Sequence, residues 1–353
     1  MSCRVWLITG ANSGLGLALA QLVLSKGDKV TSYAYSRQRS TTAAQVIAAA
    51  RDAAKIPTSL SGAKAYALDP SAPEAEVKRA ARGALEIYGR IDVLVNNAGY
   101  GLHGFVEELR CVFSSLGGEG GCFPPLLLLF EFLNTVAWAT GVVCRTEDIH
   151  AQFQTNVFGP IALTQALLPA FRAQRSGHIL NVSSAAGLAG VPSFGAYNSS
   201  KAALDAFSET LAGEVAPLGV RVHVLAPGYF GTNFLGAAKS IRDAADPGHA
   251  TGAYATPEQG HTVIDGFHPA RIASRQIGDP DRAAERMYEV VTGTGLTQGL
   301  MDHKEWVRIP LGRDAGDAVR SKLASIAASV DAYEPIWTST DMDDVQLKER
   351  FGI

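Results

Sequence analysis

The sequence predicts an α/β protein on a doubly wound parallel sheet with flanking helices. Two observations predict it. Apolar runs of strand length alternate with helical patterns, and a glycine-rich turn joins the first strand to the first helix. Most strand runs are apolar throughout rather than alternating, as in a sheet covered on both faces.

In order, RVWLIT (4–9) reads as the first strand and LGLALAQLVLSKG (15–27) as a helix ending at Gly27. KVTSYAYS (29–36) reads as the second strand, and the Ala-rich sequence after it as helical. AKAYALD (63–69) is the third strand, EAEVKRAARGALEIYG (74–89) an amphipathic helix, and IDVLVNN (91–97) the fourth strand. A long helical stretch covers 146–174, with Thr146 as N-cap and Glu147 and Asp148 favourable to the helix dipole. GHILNVSS (177–184) and VRVHVLAP (220–227) are strands around the helix AYNSSKAALDAFSETLAGEVAP (196–217), and WVRIPLG (306–312) adds a last strand. No repeat or linker divides the chain, so 1–353 reads as one domain. Residues 236–262, rich in Gly, Ala, Asp and Pro, read as a substrate loop.

Composition bounds the function. The 353 residues are 47% hydrophobic and 18% charged, with a formal net charge of −3. That allows a large core and gives no footprint for nucleic acid or an anionic membrane. The first strand begins at Arg4 without the pattern of a cleaved signal peptide, so a cytoplasmic location is expected. Cys3, Cys111, Cys122 and Cys144 form neither a disulfide framework nor a zinc-type pair, so no metal is expected.

The turn after the first strand is LITGANSGLGLALA. Gly10, Gly14 and Gly16 permit close backbone approach, and the helix N-terminus offers amide donors to a pyrophosphate. The end of the second strand should select the coenzyme. Read at 29–36, that strand ends on Ala34, Tyr35 and Ser36, with Arg37 and Arg39 beyond and no acid to repel a 2′-phosphate. This favours NADP(H) over NAD(H), with Arg37 as its contact. Asp28 precedes the strand and reads as a solvated loop residue.

Here the chain resembles the short-chain dehydrogenase/reductase family of the TGxxxGxG and YxxxK type, over roughly 4–235 apart from one stretch. Its C-terminal part looks like the 17β-hydroxysteroid-dehydrogenase-like branch. The resemblance implies a Rossmann-type fold and assigns roles in order. TGANSGLG (Gly10, Asn12, Ser13, Gly14, Leu15 and Gly16) would hold the coenzyme, and Asp69 would contact its adenine. Asn96, Asn97, Ala98 and Gly99 would support sheet and coenzyme. Pro227, Gly228 and Thr232 would cover the nicotinamide. Asn156, Ser184, Tyr197 and Lys201 match the catalytic positions; Ser184 is preferred to Ser183 by its spacing from Tyr197.

The chemistry fits those residue types. Hydride transfer between a nicotinamide and a carbonyl carbon needs a proton at the carbonyl oxygen. Tyr197 can give or take it, but a free phenol has a pKa of about 10. Lys201 lies one turn on, so its charge is expected to lower that pKa; the resemblance adds a contact with the nicotinamide ribose. Ser184 would orient the substrate oxygen. Asn156 would hold a relay water through its side chain or a local backbone distortion. Tyr229 and Phe230 read as pocket or packing residues, and His103 as a loop residue near the mouth. The activity implied is interconversion of a secondary alcohol and a ketone by an enzyme that binds a small-molecule substrate. A homo-oligomer is compatible with the family's helical interfaces. The competing class is an NADP(H)-binding redox sensor without turnover, which the Tyr197–Lys201 pair disfavours. A serine hydrolase lacks its G-x-S-x-G elbow, and a sugar-nucleotide epimerase would carry a different glycine pattern.

One stretch, 110–145, matches neither flank. It contains FPPLLLLF (123–130), yet Pro124, Pro125, Glu131 and Asn134 argue against a membrane span. Without it, GFVEEL runs into TEDIHAQFQTN. Its codons are compatible with a GT donor at Arg110–Val112, a pyrimidine tract and a CAG acceptor at Cys144–Arg145. The segment therefore reads as a translated, unspliced intron that would impair the enzyme and hinder its assembly; a genuine family-specific lid is the alternative.

Overall fold

β1 (Val5–Thr9) is buried at every position and lies inside the sheet. The computed structural model describes residues 4–27, 45–103, 146–234, 239–240, 277–300, 303, 305–342 and 344–351. Its further strands are β2 (Gln45–Ala50), β3 (Lys64–Ala67), β4 (Val93–Asn96), β5 (Gly177–Val182), β6 (Val220–Pro227) and β7 (Arg308–Leu311). They form one seven-stranded parallel sheet in the order β3-β2-β1-β4-β5-β6-β7.

Alternate residues of each strand serve opposite layers. Trp6 and Ile8 face the layer of α1 (Gly14–Gly27) and α6 (Pro280–Thr292), where Leu19, Val23, Met287 and Val291 are buried. Val5 and Leu7 face α2 (Glu74–Tyr88), α4 (Gly159–Gln174) and α5 (Gly195–Val215), against Val77, Ala81, Leu167, Phe171 and Leu211. Gly89, at φ +72°, ends α2 in the left-handed region that favours glycine. α3 (Thr146–Phe153) begins with Glu147 and Asp148 in its first turn and joins α4 through a π-helical turn, Gln154–Phe158.

Two corrections follow. The expected strand at 29–36, and Arg37 and Arg39 with it, lie outside the described residues. The strand beside β1 is Gln45–Ala50, within sequence read as helical. Helix propensity lost there to packing: Val46 and Ile47 suit a pleated buried strand, and Ala48 and Ala49 are fully buried between both layers. In addition, α6 and α7 (Arg313–Ala332) are helices that the sequence reading did not assign. Stacking of Trp6 on Tyr288, at 6.0 Å between ring centroids, ties α6 to β1. Of the 236–262 loop and the 110–145 stretch, only Lys239–Ser240 is described; its backbone pairs with Leu102–His103.

Successive strands run outward from β1 to β3, then restart at β4 on the other side. The crevice between the ends of β1 and β4 is therefore the switch point where such sheets bind ligands.

Candidate active site

The glycine turn and the NNAG segment meet at that crevice. Thr9 ends β1 fully buried. Its Oγ1 donates to Val95 O at 3.1 Å and accepts the N–H groups of Asn97 and Ala98 at 3.0 Å each. The Asn97 side chain donates back to Thr9 O at 2.9 Å and Gly10 O at 3.3 Å. This packing explains two glycines. Gly10 has φ +65°, and a Cβ on Gly16 would lie 2.4 Å from Asn97 Nδ2 and 2.6 Å from Gly10 O. Asn96 turns away from the crevice into the sheet, donating to Asn181 Oδ1 at 2.7 Å; Asn181 in turn donates to Ser208 Oγ at 2.7 Å.

A cavity of about 870 Å³ extends from this turn to α5. Gly10, Asn12, Ser13, Gly14 and Leu15 line one end of it. Asp69, Asn97, Ala98, Gly99, Ser184, Tyr197, Lys201, Pro227, Gly228 and Thr232 line the remainder. Gly16 lies behind the lining, and Asn156 is buried beneath it. Arg51, Lys55 and Asp314 also line the cavity and are absent from the sequence reading. Arg51 had a signal: it is the first residue beyond the strand beside β1, and only the misplacement of that strand hid it. The Asp314 carboxylate accepts Tyr229 N–H at 2.7 Å; nothing local in the sequence marks it.

Tyr197, Lys201 and Asp205 succeed one another at four-residue spacing, and all three are buried. Lys201 Nζ donates to Val182 O at 2.7 Å and sits 5.7 Å from the Tyr197 ring centroid. Tyr197 hydrogen-bonds Ser184, whereas Ser183 Oγ reaches Lys201 O at 3.5 Å. Behind them, Asp205 pairs with Arg308, which also donates to Glu209 at 2.8 Å.

Burial sets the titration of the pair. It pushes the Tyr197 phenol up to about 12; the Ser184 hydrogen bond opposes this, and Asp205 and Tyr229 add to it. The lowering expected from Lys201 is not found; burial raises the phenol instead. Burial also pulls the Lys201 ammonium down to about 8, with the Asp205 carboxylate opposing. Lys201 therefore stays largely protonated at neutral pH.

Asn156 lies in the π turn. Its Oδ1 accepts Tyr100 N–H at 3.3 Å, and its Nδ2 donates to Tyr100 O and Ser200 Oγ, both at 3.1 Å. The side chain is thus a clamp between the NNAG loop and α5. A Cβ on Gly99 would lie 3.0 Å from Asn156 Oδ1 and 3.5 Å from Lys201 Nζ, so glycine there lets the loop approach both.

The sequence profile described as short chain dehydrogenase matches residues 4–111 and 140–242, leaving 112–139 unmatched. The chain belongs to the short-chain dehydrogenase family. It is 31% identical over 272 residues to oxidoreductase BOA17 of Botryotinia fuckeliana, covering 77% of this chain and 82% of that one. It is 31% identical over 234 residues to 3-ketodihydrosphingosine reductase of Bacteroides thetaiotaomicron, covering 66% of each. A solved short-chain dehydrogenase from Streptomyces avermitilis superposes with TM-score 0.68 at 30% identity, covering 96% of this chain and all of that one. The protein is an oxidoreductase of a family that binds nicotinamide coenzymes and acts on CH–OH groups. No helix among the described residues is long and apolar enough to cross a membrane.

Proposed function

We propose that the protein is an NADP(H)-preferring reductase or dehydrogenase that interconverts a ketone and a secondary alcohol. The observation that carries this is the convergence of Ser184, Tyr197 and Lys201 on the cavity that begins at the glycine turn. The coenzyme fits there by position: the glycine turn lines one end of the cavity, and glycine at 10, 16 and 99 lets the loops around it pack against Asn97 and Asn156 without collision. When bound, the nicotinamide supplies or accepts the hydride. Ser184 orients the substrate oxygen. In reduction, the Tyr197 hydroxyl gives its proton to that oxygen as the carbonyl carbon becomes C–H; in oxidation the phenolate takes the proton back. Lys201, held by Val182 O, supplies positive charge beside the phenol and stabilises phenolate as it forms. The Asn156 side chain is engaged with Tyr100 and Ser200, so a relay water would rest on the backbone of the π turn rather than on that side chain.

Preference for NADP(H) moves from Arg37 to the end of β2. Arg51 and Lys55 line the cavity there. Asp52 lies between them and also lines the cavity, with its Oδ1 engaged as a cap that accepts Ala54 N–H at 3.0 Å. Two cations with the acid engaged suit a 2′-phosphate. Placement in the 17β-hydroxysteroid-dehydrogenase-like branch rests on C-terminal sequence, and a cytoplasmic location belongs to the same proposal. The 110–145 segment is read as intron-derived, supported by the break in the family match over 112–139.

Assay of ketone reduction with NADPH tests the function. Tyr197→Phe should lose at least about 10²-fold in kcat, the scale of a general acid, and still bind NADPH by fluorescence. Undiminished turnover in that variant would overturn the mechanism. NADPH binding with no turnover of any ketone by the parent enzyme would favour the sensor.

A further inference from the structure

The C-terminal helix reaches the cavity through one carboxylate that the hydride and proton transfers do not use. After β6 the chain runs along the cavity wall as a strap, with residues 227–230 and 232–234 in the lining. Thr232 lies against the glycine turn: a Cβ on Gly14 would be 3.5 Å from its Cγ2. Two residues on, the Phe234 ring packs on the Tyr197 ring at 5.7 Å between centroids. The strap thus joins the coenzyme cradle to the proton donor.

Its path is set by backbone bonds and one side chain. Gly228 N–H donates to Leu311 O at 2.9 Å, at the end of β7. Gly278 N–H donates to Tyr229 O at 3.0 Å, and Gly231 N–H donates to Gly278 O at 2.9 Å. Between these, the Tyr229 N–H goes to Asp314 Oδ2 at 2.7 Å. A carboxylate is a stronger acceptor than the carbonyls that hold the rest of the strap. Ala315, fully buried beside it, seats the first turn of α7 in the body of the protein.

Two glycines make room for this carboxylate. Gly312, just before α7, has φ +95°, and a Cβ there would lie 2.6 Å from Asp314 Oδ1. A Cβ on Gly228 would collide with both carboxylate oxygens of Asp314. Gly228 is not among the glycines of positive φ, so its backbone conformation is open to any residue. What excludes a side chain at 228 is the carboxylate that arrives from α7.

We propose that Asp314 is a positioning residue for the coenzyme. By holding the Tyr229 amide it sets the strap over the nicotinamide end of the cavity, and so makes the start of the C-terminal helix part of the active site. The proposal rests on the reading of this cavity as the coenzyme site.

Fluorescence titration with NADPH and steady-state kinetics test it. Asp314→Ala should raise the NADPH dissociation constant about tenfold, the scale of one charge-assisted bond. Asp314→Asn keeps an acceptor oxygen in the same place and should stay within about threefold of the parent. Gly228→Ala should also weaken binding about tenfold, because its methyl displaces the carboxylate. In the double variant Gly228→Ala/Asp314→Ala the methyl enters space the carboxylate has left, so binding should be no weaker than in either single variant. The KM for NADPH should follow the dissociation constant while kcat changes little, because α5 seats Tyr197 and Lys201. A bond that served only the fold would lower the urea midpoint of the coenzyme-free protein and leave the dissociation constant unchanged; that result would overturn the proposal. So would a loss of about a hundredfold in the double variant, or an Asn variant as weak as the Ala variant. A parent protein that bound neither NADPH nor NADH would sink the coenzyme reading itself, and the proposal with it.

Discussion

Thr9→Val tests how the crevice is held together. Valine has nearly the shape of threonine, so the packing of β1 is kept while the hydroxyl is lost. That hydroxyl makes three short bonds in a fully buried position: one given to Val95 O and two taken from Asn97 and Ala98 N–H. Each net bond contributes about 1 kcal/mol, and a buried N–H left without a partner costs about 1–3 kcal/mol. Three lost bonds and two orphaned donors give a destabilisation of about 3 kcal/mol or somewhat more. Thr9→Ser is the control. It keeps the bonds and loses one methyl, which costs about 1 kcal/mol. Urea unfolding followed by tryptophan fluorescence measures both, with the midpoint moving and the slope held. The valine variant should also raise the KM for coenzyme, because the NNAG loop loses its anchor on β1. If Thr9→Val destabilises no more than Thr9→Ser, the hydroxyl is not the knot that joins the two segments.

Three further outcomes are expected. Lys201 has its folded pKa lowered to about 8 from 10.5, so the unfolded chain binds the extra proton between those values. Stability should rise with pH from about 8. The Tyr197 pKa is raised from 10.0 to about 12, so its contribution is intact below 10 and lost as pH climbs toward 12. Chemical unfolding at several pH values should show a rise and then a fall, with the rise flattened in Lys201→Met. Arg51→Ala should raise the KM for NADPH about tenfold and leave that for NADH nearly unchanged, a modest figure because the Arg51 side chain is 81% exposed; steady-state kinetics with both coenzymes decides it. A chain joining Leu109–Arg110 directly to Thr146 should be more soluble and turn over NADPH faster than the full chain. Equal behaviour of the two, or codons at 110–112 and 144–145 that lack GT and AG, would refute the intron reading.

The residues that face the crevice were legible because each is a local word: TGANSGLG at a strand end, NNAG, and Tyr197 with Lys201 one helical turn later. The sheet was legible because its strands are apolar on both faces. What the sequence hid is what depends on distant partners. Asp314 matters through the Tyr229 amide, and Asp205 through Arg308, whose position on β7 is fixed only by the sheet. α6 has a strong amphipathic face, with Ala283, Ala284, Met287, Val290 and Val291 buried, and Asp279 caps it by accepting the N–H groups of Asp281 and Arg282. Both signals are local and stand in the sequence itself. The error over β2 differs in kind. KVTSYAYS fits a strand better by composition than QVIAAA does, and both follow the first helix. The segment that pairs with β1 is the one whose small buried residues fit between two helical layers. The interval before it has a nucleotide signature of its own: Lys29–Val30 can be written AAG-GTN and Gln45 as CAG. Removing 30–45 would join Lys29 to Val46 and rebuild β2 in the same register, with Lys29 where Gln45 stands. Both breaks in the chain's periodicity thus fall where one interpretation, retained introns, restores short connections between neighbouring elements. The second is independent of the first and is checked by the same transcript: a spliced message that reads Gly27-Asp28-Lys29-Val46 would explain why the strand predicted from composition is not the one that pairs with β1.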